Sequence, residues 1–190
     1  MVNLTRIYTR TGDDGTTALG DMSRTSKLDT RLAAYADVDE ANSAIGVALA
    51  LGSLPPELVT LLTRIQNDLF DVGADLCTPV VADPEFPPLR VEEHYVELVE
   101  STCDQWNADL AALRSFILPA GSPGEALLDG ARAVVRRAER STWAALAEHG
   151  ETMNPLTVRY LNRLSDLLFI LARVANADRG DVLWVPGANR

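Results

Sequence analysis

The chain has 190 residues, of which 47% are hydrophobic and 23% are charged, a composition that fits one globular domain with a large core. Its formal net charge of −10 argues against nonspecific binding to nucleic acid or to an anionic membrane surface. The N-terminus lacks the apolar segment of a signal peptide, and no apolar run is long enough to span a membrane. We therefore expect a soluble cytoplasmic protein.

A glycine- and threonine-rich stretch precedes the first helical segment. Residues 9–17 read Thr-Arg-Thr-Gly-Asp-Asp-Gly-Thr-Thr, and Gly12 and Gly15 give the backbone the freedom to wrap an anion. The stretch is neither a Walker loop nor a dinucleotide fingerprint, because the glycine and lysine spacings of those motifs are missing. An ordinary surface turn is the alternative interpretation. Residues 1–31 hold five basic and four acidic residues, so they form the less acidic part of the chain.

Five segments have apolar side chains three and four residues apart, the spacing that predicts amphipathic helices. They cover residues 28–51, 55–76, 91–113, 124–148 and 155–175. Residues 78–90 contain four prolines and are expected to form a loop, and the apolar residues 182–185 are expected to add one strand or an extended strap. Long helices with short links predict an all-α fold, an up-down five-helix bundle.

The cysteines and histidines do not favour a disulfide or a zinc site. Cys77 and Cys103 lack Cys-x-x-Cys spacing, and both fall in predicted helices, where a buried free thiol is the usual state. Neither His94 nor His149 has another histidine or a cysteine three or four residues away.

The fourth predicted helix carries a cluster of arginines in a chain that is otherwise acidic. One face has a 4-3-4 spacing and consists of Arg132, Arg136, Glu139 and Trp143, with Arg140 one turn beyond Arg136. Arginine binds phosphate oxygens in bidentate fashion, so this face is a candidate polyphosphate site. The alternative is a solvated basic face on an amphipathic helix.

Two other helices carry polar residues beside their apolar stripes. Asp39 and Asn42 lie on the first helix, and the fifth has a second face made of Asn162, Asp166, Phe169 and Arg173. These residues can be interpreted as structural as well as functional. Asp39 could pair with an arginine in a subunit contact, and Asp166 could hold Arg163 or Arg159.

Several motifs then follow one another in a specific order. They are Ile-Tyr-Thr-Arg-Thr-Gly-Asp at 7–13, Gly-Thr-Thr at 15–17, Lys-Leu-Asp-Thr-Arg at 27–31, Asp-Glu-Ala-Asn-Ser-Ala-Ile-Gly at 39–46, Phe-Ile-Leu-Pro at 116–119, Arg-Arg-Ala-Glu-Arg at 136–140 and Tyr-Leu-Asn-Arg-Leu-Ser-Asp at 160–166. Together they resemble the PduO-type ATP:cob(I)alamin adenosyltransferases over nearly the whole chain.

The resemblance implies one domain, residues 1–190, with a nucleotide-binding arm at 1–27, a helical bundle at 28–177 and an extended tail at 178–190. It implies a homotrimer that binds ATP and Mg²⁺ between subunits and transfers the 5′-deoxyadenosyl group to cob(I)alamin, giving adenosylcobalamin and triphosphate. Further partners implied are a reductase or an adenosylcobalamin-dependent mutase. The metal-binding residues are not identified.

The resemblance also implies a set of site residues. The ATP site would consist of Thr9, Arg10, Thr11, Gly12, Gly15, Thr16, Thr17, Lys27, Arg136, Arg137, Glu139, Arg140 and Asn162. Asp39 and Arg132 match a pair that bridges neighbouring subunits, and Phe116 matches the aromatic residue that displaces the lower cobalt ligand. Without the resemblance, Phe116 would be interpreted as a core residue under a loop.

The sequence departs from the family pattern at three positions. Asp14 stands where many members have lysine, Ala36 where glycine is common, and Ala120 where a second glycine is frequent. Asp14 therefore removes a phosphate contact, and Ala120 is expected to alter the loop after Phe116.

The implied chemistry agrees with the residues present. Cobalt(I) is itself the nucleophile, so the protein needs no serine, cysteine or histidine to attack carbon. It must orient ATP and stabilise the departing triphosphate, which suits arginine, lysine and backbone N–H groups. Two other classes remain open: a noncatalytic nucleotide-binding helical protein, and a structural bundle whose arginines form only subunit salt bridges.

Overall fold

The computed structural model describes residues 7–84 and 86–188. The first six residues of the predicted arm, Glu85 in the proline-rich loop and the last two residues of the predicted tail lie outside this part of the chain. The helices are α1 (Thr30–Leu51), α2 (Pro56–Cys77), α3 (Glu93–Asn107), α4 (Pro123–His149) and α5 (Leu156–Ala175), with a short 3-10 turn at Gly150–Thr152. The predicted all-α five-helix bundle is confirmed.

Each helix packs against specific neighbours in the bundle. α1 contacts α2 and α4, and α5 contacts α4 and α3. The start of α1 lies beside the end of α4, where Thr30 Oγ1 donates to Glu148 Oε2 at 2.8 Å. None of the helices in the described ranges is long and apolar enough to cross a membrane.

The bundle core is formed by the predicted apolar faces. The α1 stripe of Ala34, Val38, Ala41, Ile45 and Ala48 is at most 1% exposed. The α5 leucines that share its apolar face are fully buried as well, namely Leu161, Leu164, Leu168 and Leu171. Because burial of apolar surface supplies most of the favourable free energy of folding, these stripes decide how the helices pack.

The helix starts follow the expected capping chemistry. The side chain of Asp29 accepts a hydrogen bond from the amide of Arg31 and so caps α1. Ser122 caps α4 in the same way through the amide of Glu125, and α2 and α4 each have proline in the first turn.

Two strands that the sequence analysis did not predict lie within the arm. β1 (Thr16–Ala18) pairs antiparallel with β2 (Arg24–Ser26). Leu19, in the turn between them, is buried, and the amide of Gly20 donates to the carbonyl of Cys77 at 2.9 Å. The hairpin is thereby attached to the end of α2.

α3 ends earlier than its apolar pattern predicts. The pattern continues to residue 113, but the helix stops at Asn107 and residues 108–122 form a loop, the Phe116 loop. Within this loop the carbonyl of Ala111 accepts a hydrogen bond from Arg173 of α5 at 2.8 Å. That long-range bond fixes the loop backbone against the end of α5.

The described part of the tail pairs with the Phe116 loop along residues 182–184 and turns at 186–188. An isolated antiparallel bridge joins Ile117 to Leu183. The amide of Leu118 donates to the carbonyl of Val182 at 2.7 Å, and the amide of Trp184 donates to the carbonyl of Phe116 at 2.8 Å.

Candidate functional site

The arm holds Lys27 against the glycine-rich turn. The amide of Lys27 donates to the carbonyl of Gly15 at 2.9 Å. A Cβ atom added to Gly12 would lie 3.0 Å both from Lys27 Nζ and from the carbonyl oxygen of Thr16. Gly15 has a φ of +82°, in the left-handed region that favours glycine. The lack of a side chain at Gly12 and the backbone conformation of Gly15 therefore allow the ammonium group of Lys27 to lie beside the turn.

Arg24 belongs to this half of the site, and the sequence analysis missed it. Its guanidinium donates to the carbonyl of Thr11 at 2.7 Å and to Thr16 Oγ1 at 3.1 Å, and it lies 3.7 Å from Asp14 Oδ1. The hydroxyl and amide of Thr16 both donate to Asp14 and lower the pKa of its carboxyl. Asp14, a departure from the family pattern, thus stabilises the turn itself.

The second half of the site lies where α4 meets α5, and we call Arg136, Glu139, Arg140 and Asn162 the α4–α5 face. Glu139 Oε1 accepts a hydrogen bond from Asn162 Nδ2 at 3.2 Å, so two residues predicted for one site do meet. Asn162 Oδ1 accepts from Arg163 at 2.6 Å. Arg136 and Arg140 are exposed and make no hydrogen bond or ion pair within residues 7–84 and 86–188. Their guanidinium groups remain available to an anion.

Arg137 contacts a different helix from Glu139. Its Nε lies 3.3 Å from Asp37 Oδ1 on α1, and its guanidinium also forms an ion pair with Glu40. The hydrogen bond to Glu40 raises the pKa of Arg137, and Ser141 donates to Asp37 at 2.5 Å. A phosphate at Arg137 would therefore compete with two carboxylates in this chain.

Asp39 and Arg132 do not form an ion pair with each other within the described chain. Arg132 Nε donates to Asp129 Oδ1 at 2.7 Å on the same helix. Asp39 is exposed on α1 and lines a groove of about 460 Å³ between α1 and α2, together with Ala36 and Phe70. The bridge between them stays a prediction for neighbouring subunits.

No hydrogen bond or ion pair joins residues 9–27 of the arm to the α4–α5 face. The arm instead contacts the start of α1 and the end of α2, where Thr25 donates to Asp29 and Gly20 donates to Cys77. One chain therefore carries two incomplete sets of anion-binding groups.

Phe116 lies on the surface. Its side chain is 78% exposed, so the interpretation as a buried core residue is wrong. Its ring centroid lies 6.0 Å from that of Trp184 at an interplanar angle of 57°, and Ser115 Oγ donates to the carbonyl of Trp184 at 2.8 Å. The loop and the tail thus present an exposed aromatic pair, which could contact a large apolar ligand.

Two arginines of α5 form ion pairs with residues of α3. Arg159 pairs with Glu93 at 2.7 Å and Arg163 pairs with Glu100 at 2.6 Å, so neither arginine forms an ion pair with Asp166, as the structural alternative for Asp166 had it. Both acidic partners lie on α3, which the local spacing within α5 could not reveal.

Arg173 has a structural role at the end of α5. Its side chain is 6% exposed and binds Asp181 at 2.9 Å and the carbonyl of Ala111 at 2.8 Å. Asn176, three residues on, accepts from the amide of Ser122 at 2.9 Å and donates to the carbonyl of Gly180 at 2.7 Å. The polar face predicted for α5 therefore divides into a site residue, Asn162, and a structural anchor for the tail.

The thiols are free but only partly buried, not fully buried as expected. Burial raises the pKa of Cys77, and burial together with nearby Asp166 raises the pKa of Cys103 to about 11. Both are therefore protonated at neutral pH and unreactive as nucleophiles. Among the residues that the structure describes, no group of three or more His, Cys, Asp and Glu side chains could hold a metal ion.

Known proteins match this chain over nearly its full length. A family model described as cobalamin adenosyltransferase matches residues 7–175. The corrinoid adenosyltransferase of Mycobacterium tuberculosis H37Rv is 64% identical over 189 residues, covering 100% of this chain and 97% of that protein. The corrinoid adenosyltransferase PduO of Salmonella typhimurium is 37% identical over 175 residues, which span 90% of this chain and 50% of that longer protein.

A solved structure has the same fold. It is a variant, with histidine in place of a phenylalanine, of a PduO-type ATP:corrinoid adenosyltransferase from Lactobacillus reuteri, complexed with cobalamin and ATP. The TM-score is 0.86 at 34% sequence identity, covering 95% of this chain and 97% of that chain.

Proposed function

The chain belongs to the cobalamin adenosyltransferase family, and we propose that it transfers the 5′-deoxyadenosyl group of ATP to cob(I)alamin, giving adenosylcobalamin and triphosphate. The observation that carries this proposal is the pair of half-sites. A lysine and a glycine-rich turn in the arm, and two unpaired guanidinium groups on α4, are suited to a polyphosphate. A third element, the exposed Phe116, is suited to an apolar ring system.

The reaction forms a bond between cobalt and the ribose 5′ carbon and breaks the bond from that carbon to the triphosphate oxygen. The electron pair comes from cobalt(I), and triphosphate leaves with the electrons of the broken bond. Arg136, Arg140 and Lys27 would stabilise the negative charge that develops on the leaving oxygen. No proton has to be removed, so the reaction needs no side-chain base.

Mg²⁺ would enter with ATP and neutralise part of the triphosphate charge. The described residues provide no cluster of three acidic, histidine or cysteine ligands. This fits Mg²⁺ bound mainly by substrate phosphates and water, its common mode in nucleotide sites. Glu139 is the carboxylate of the α4–α5 face and could supply one ligand, since Asn162 bonds only one of its oxygens.

Phe116 would contact the lower face of the corrin and displace the lower cobalt ligand. Four-coordinate cob(II)alamin is easier to reduce, so the ring would act by excluding a ligand and not by touching the reacting carbon. The exposure of Phe116 supports this role, because a ring packed in the core could not reach a substrate.

The complete site would form between subunits of a homotrimer, from the arm of one chain and the α4–α5 face of its neighbour. The separation of the two halves in one chain supports this arrangement, as does the exposure of Asp39, which would pair with Arg132 across the interface. Sedimentation at micromolar concentration should show three chains per particle. A monomer that makes product would contradict the shared site.

The decisive experiment is an anaerobic assay with ATP and prereduced cob(I)alamin that detects the cobalt–carbon product. Arg136→Ala should lower kcat/KM for ATP by about a hundredfold, as expected for one key electrostatic donor. The matched control is Arg159→Ala, which removes an exposed arginine paired with Glu93 away from the site. The thermal midpoint of Arg136→Ala should be unchanged, since Arg136 has no bonding partner in the described chain.

The noncatalytic alternative makes a different prediction. A protein that only binds nucleotide would bind ATP and form no adenosylcobalamin with either reduced form of the corrinoid. The same assay therefore separates the two candidates. A soluble cytoplasmic location and contact with a reductase or an adenosylcobalamin-dependent mutase belong to this proposal.

Phe116→Ala tests the corrinoid half. Reaction from cob(II)alamin with a modest reductant should fall far more than reaction from prereduced cob(I)alamin, while KM for ATP stays unchanged. Since Phe116 is exposed, its loss should leave stability nearly intact. Equal loss from both starting states would remove Phe116 from the reduction step.

A further inference from the structure

The carboxylate of Asp29 joins three parts of the fold. Its Oδ1 accepts from the amide of Arg31 at 2.8 Å, capping α1. Its Oδ2 accepts from Thr25 Oγ1, on β2 of the arm, at 2.6 Å. His149 Nε2, at the end of α4, lies 2.8 Å from Asp29 Oδ1. A carboxylate only accepts, so His149 Nε2 carries the hydrogen of this bond.

These bonds close a short segment around Lys27, which lies midway between Thr25 and Asp29. Within the segment, the amide of Leu28 donates to Ser26 Oγ at 3.1 Å and the amide of Asp29 donates to the carbonyl of Ser26 at 3.1 Å. The backbone of Lys27 is thereby fixed on both sides, in the position that puts its ammonium group beside Gly12.

The bundle side of this junction is rigid. Arg31 is 2% exposed, and its guanidinium donates to the carbonyl of Leu76 at 3.0 Å and to Thr152 Oγ1 at 2.7 Å. Asp29 therefore connects the arm to the place where α1, α2 and α4 meet.

Resting on the proposed function, we propose that Asp29 is a positioning residue for nucleotide binding and that His149 is its second support. The Asp29 carboxylate holds the 25–29 segment so that Lys27 meets the triphosphate together with the glycine-rich turn. Asp29 and His149 do not take part in proton transfer, because the nucleophile of the reaction is cobalt(I) and needs no base.

Charge and position have opposite effects on ATP binding here. A carboxylate two residues from Lys27 repels a triphosphate, so loss of its charge alone would strengthen ATP binding. Loss of the position of Lys27 would weaken it. The sign of the change in ATP affinity therefore separates the two roles.

The test compares Asp29→Ser with the wild-type protein. Serine caps a helix about as well as aspartate, so α1 keeps its cap. The shorter side chain cannot reach both Thr25 and His149. We expect KM and Kd for Mg-ATP to rise about tenfold, the loss expected for a hydrogen bond to a charged group, with kcat at saturating ATP and KM for the corrinoid unchanged. Kd is measured by calorimetry without corrinoid.

Two further variants and one control complete the design. Thr25→Val removes only the hydroxyl donor and should weaken ATP binding in the same direction by a smaller factor, with no further loss when combined with Asp29→Ser. His149→Gln tests the second support. The control is Asp21→Ser, because Asp21 accepts from Ser23 within the hairpin turn and does not touch the Lys27 segment.

Each outcome decides the proposal. It stands if Asp29→Ser and Thr25→Val both weaken ATP binding while Asp21→Ser does not. It fails if Asp29→Ser binds ATP as tightly as the wild type or more tightly, even though the wild type forms adenosylcobalamin; the proposed function then survives. If the wild-type protein itself binds no ATP, both fail together. Should Asp29→Ser not fold, Thr25→Val carries the same test.

Discussion

The arm and the Phe116 loop both lie outside the helices, yet contacts of different range hold them. Bonds between residues close in sequence stabilise the arm, such as Thr16 to Asp14 and Lys27 to Gly15. The Phe116 loop is bonded to the tail, where Ser115 contacts Trp184, 69 positions later.

This difference predicts which region of the molecule a substitution should affect. A change in the arm should affect nucleotide binding and leave the bundle intact, because the described arm is bonded mainly within itself and meets the bundle at its edge, through Gly20 to Cys77 and Thr25 to Asp29. A change in the tail or at the end of α5 should alter the Phe116 loop from a distance. If the arm and the Phe116 loop respond separately, each variant below will affect either ATP or the corrinoid, and not both.

The largest effect is expected from Asp181→Ala. Asp181 binds the nearly buried guanidinium of Arg173 at 2.9 Å. Without it, Arg173 keeps only the carbonyl of Ala111, and breaking a buried ion pair on one side costs about 3 kcal/mol. The free energy of unfolding in urea should fall by this amount, and reaction from cob(II)alamin should fall with it.

Asp178→Ala is the control for this variant, since Asp178 is an exposed aspartate three residues earlier. It should change stability by less than about 0.5 kcal/mol. Equal destabilisation by both variants would mean that the tail is not held by the Arg173–Asp181 pair.

The contrast between local and distant contacts also decides what the sequence could predict. The α1 stripe and the turn at Gly12 and Gly15 depend on spacing within a few residues, so both could be identified from the sequence. The contact between Arg173 and Ala111 could not, because it depends on packing between residues 62 positions apart.

The same limit applies to the site residues. The family motifs predict site residues in the arm and at Asn162 and Phe116. They did not identify Arg24, which contacts Thr11 only because the hairpin forms. They also could not show that Arg137 contacts Asp37 on α1, across 100 positions of sequence.

A smaller effect is expected from Trp184→Ala, which removes the ring beside Phe116 and keeps the backbone bond between the two residues. An aromatic pair contributes about 0.5–1.5 kcal/mol beyond its buried area. Reaction from cob(II)alamin should therefore fall by up to about tenfold, with KM for ATP unchanged. The neighbouring Val185→Ala, also exposed, serves as the control. A rise in KM for ATP with Trp184→Ala would contradict the separation of the arm from the Phe116 loop.

A matched pair of glycines compares the two regions directly. Gly15 in the arm has a φ of +82°, Gly180 in the tail has a φ of +78°, and a Cβ atom at either position would meet no atom within 4 Å. Alanine at each should add the same backbone strain, about 1 kcal/mol. We expect Gly15→Ala to weaken Mg-ATP binding about fivefold, and Gly180→Ala to slow only reaction from cob(II)alamin. An effect of both variants on the same substrate would show that the regions are coupled.

The smallest effect is the pH dependence of folding stability, and its sign should differ between Asp29, beside the arm, and Glu125, beside the Phe116 loop. Burial alone would raise the pKa of Asp29, but hydrogen bonds from Thr25, Arg31 and His149 outweigh it and leave the pKa below its ordinary value. The Asp29 carboxylate therefore stabilises the fold above pH 3.8, its unfolded value, and this contribution is lost as pH falls through the lower folded pKa. Glu125, beside the Phe116 loop, is the opposite case, because burial and nearby Asp129 raise its pKa.

The stability that Glu125 contributes is complete below pH 4.5, its unfolded pKa, and is lost as pH rises through the folded value. Glu125→Gln keeps the shape and removes the buried charge, so its thermal midpoint should exceed that of the wild type at pH 7 and match it below pH 4. Asp29→Ser should show the reverse, a lower midpoint at pH 7 and a vanishing difference in acid. Thermal unfolding of the three proteins from pH 3 to pH 8 measures both differences. The same sign for both variants would mean that the carboxylates of Asp29, beside the arm, and Glu125, beside the Phe116 loop, are not held in opposite ways.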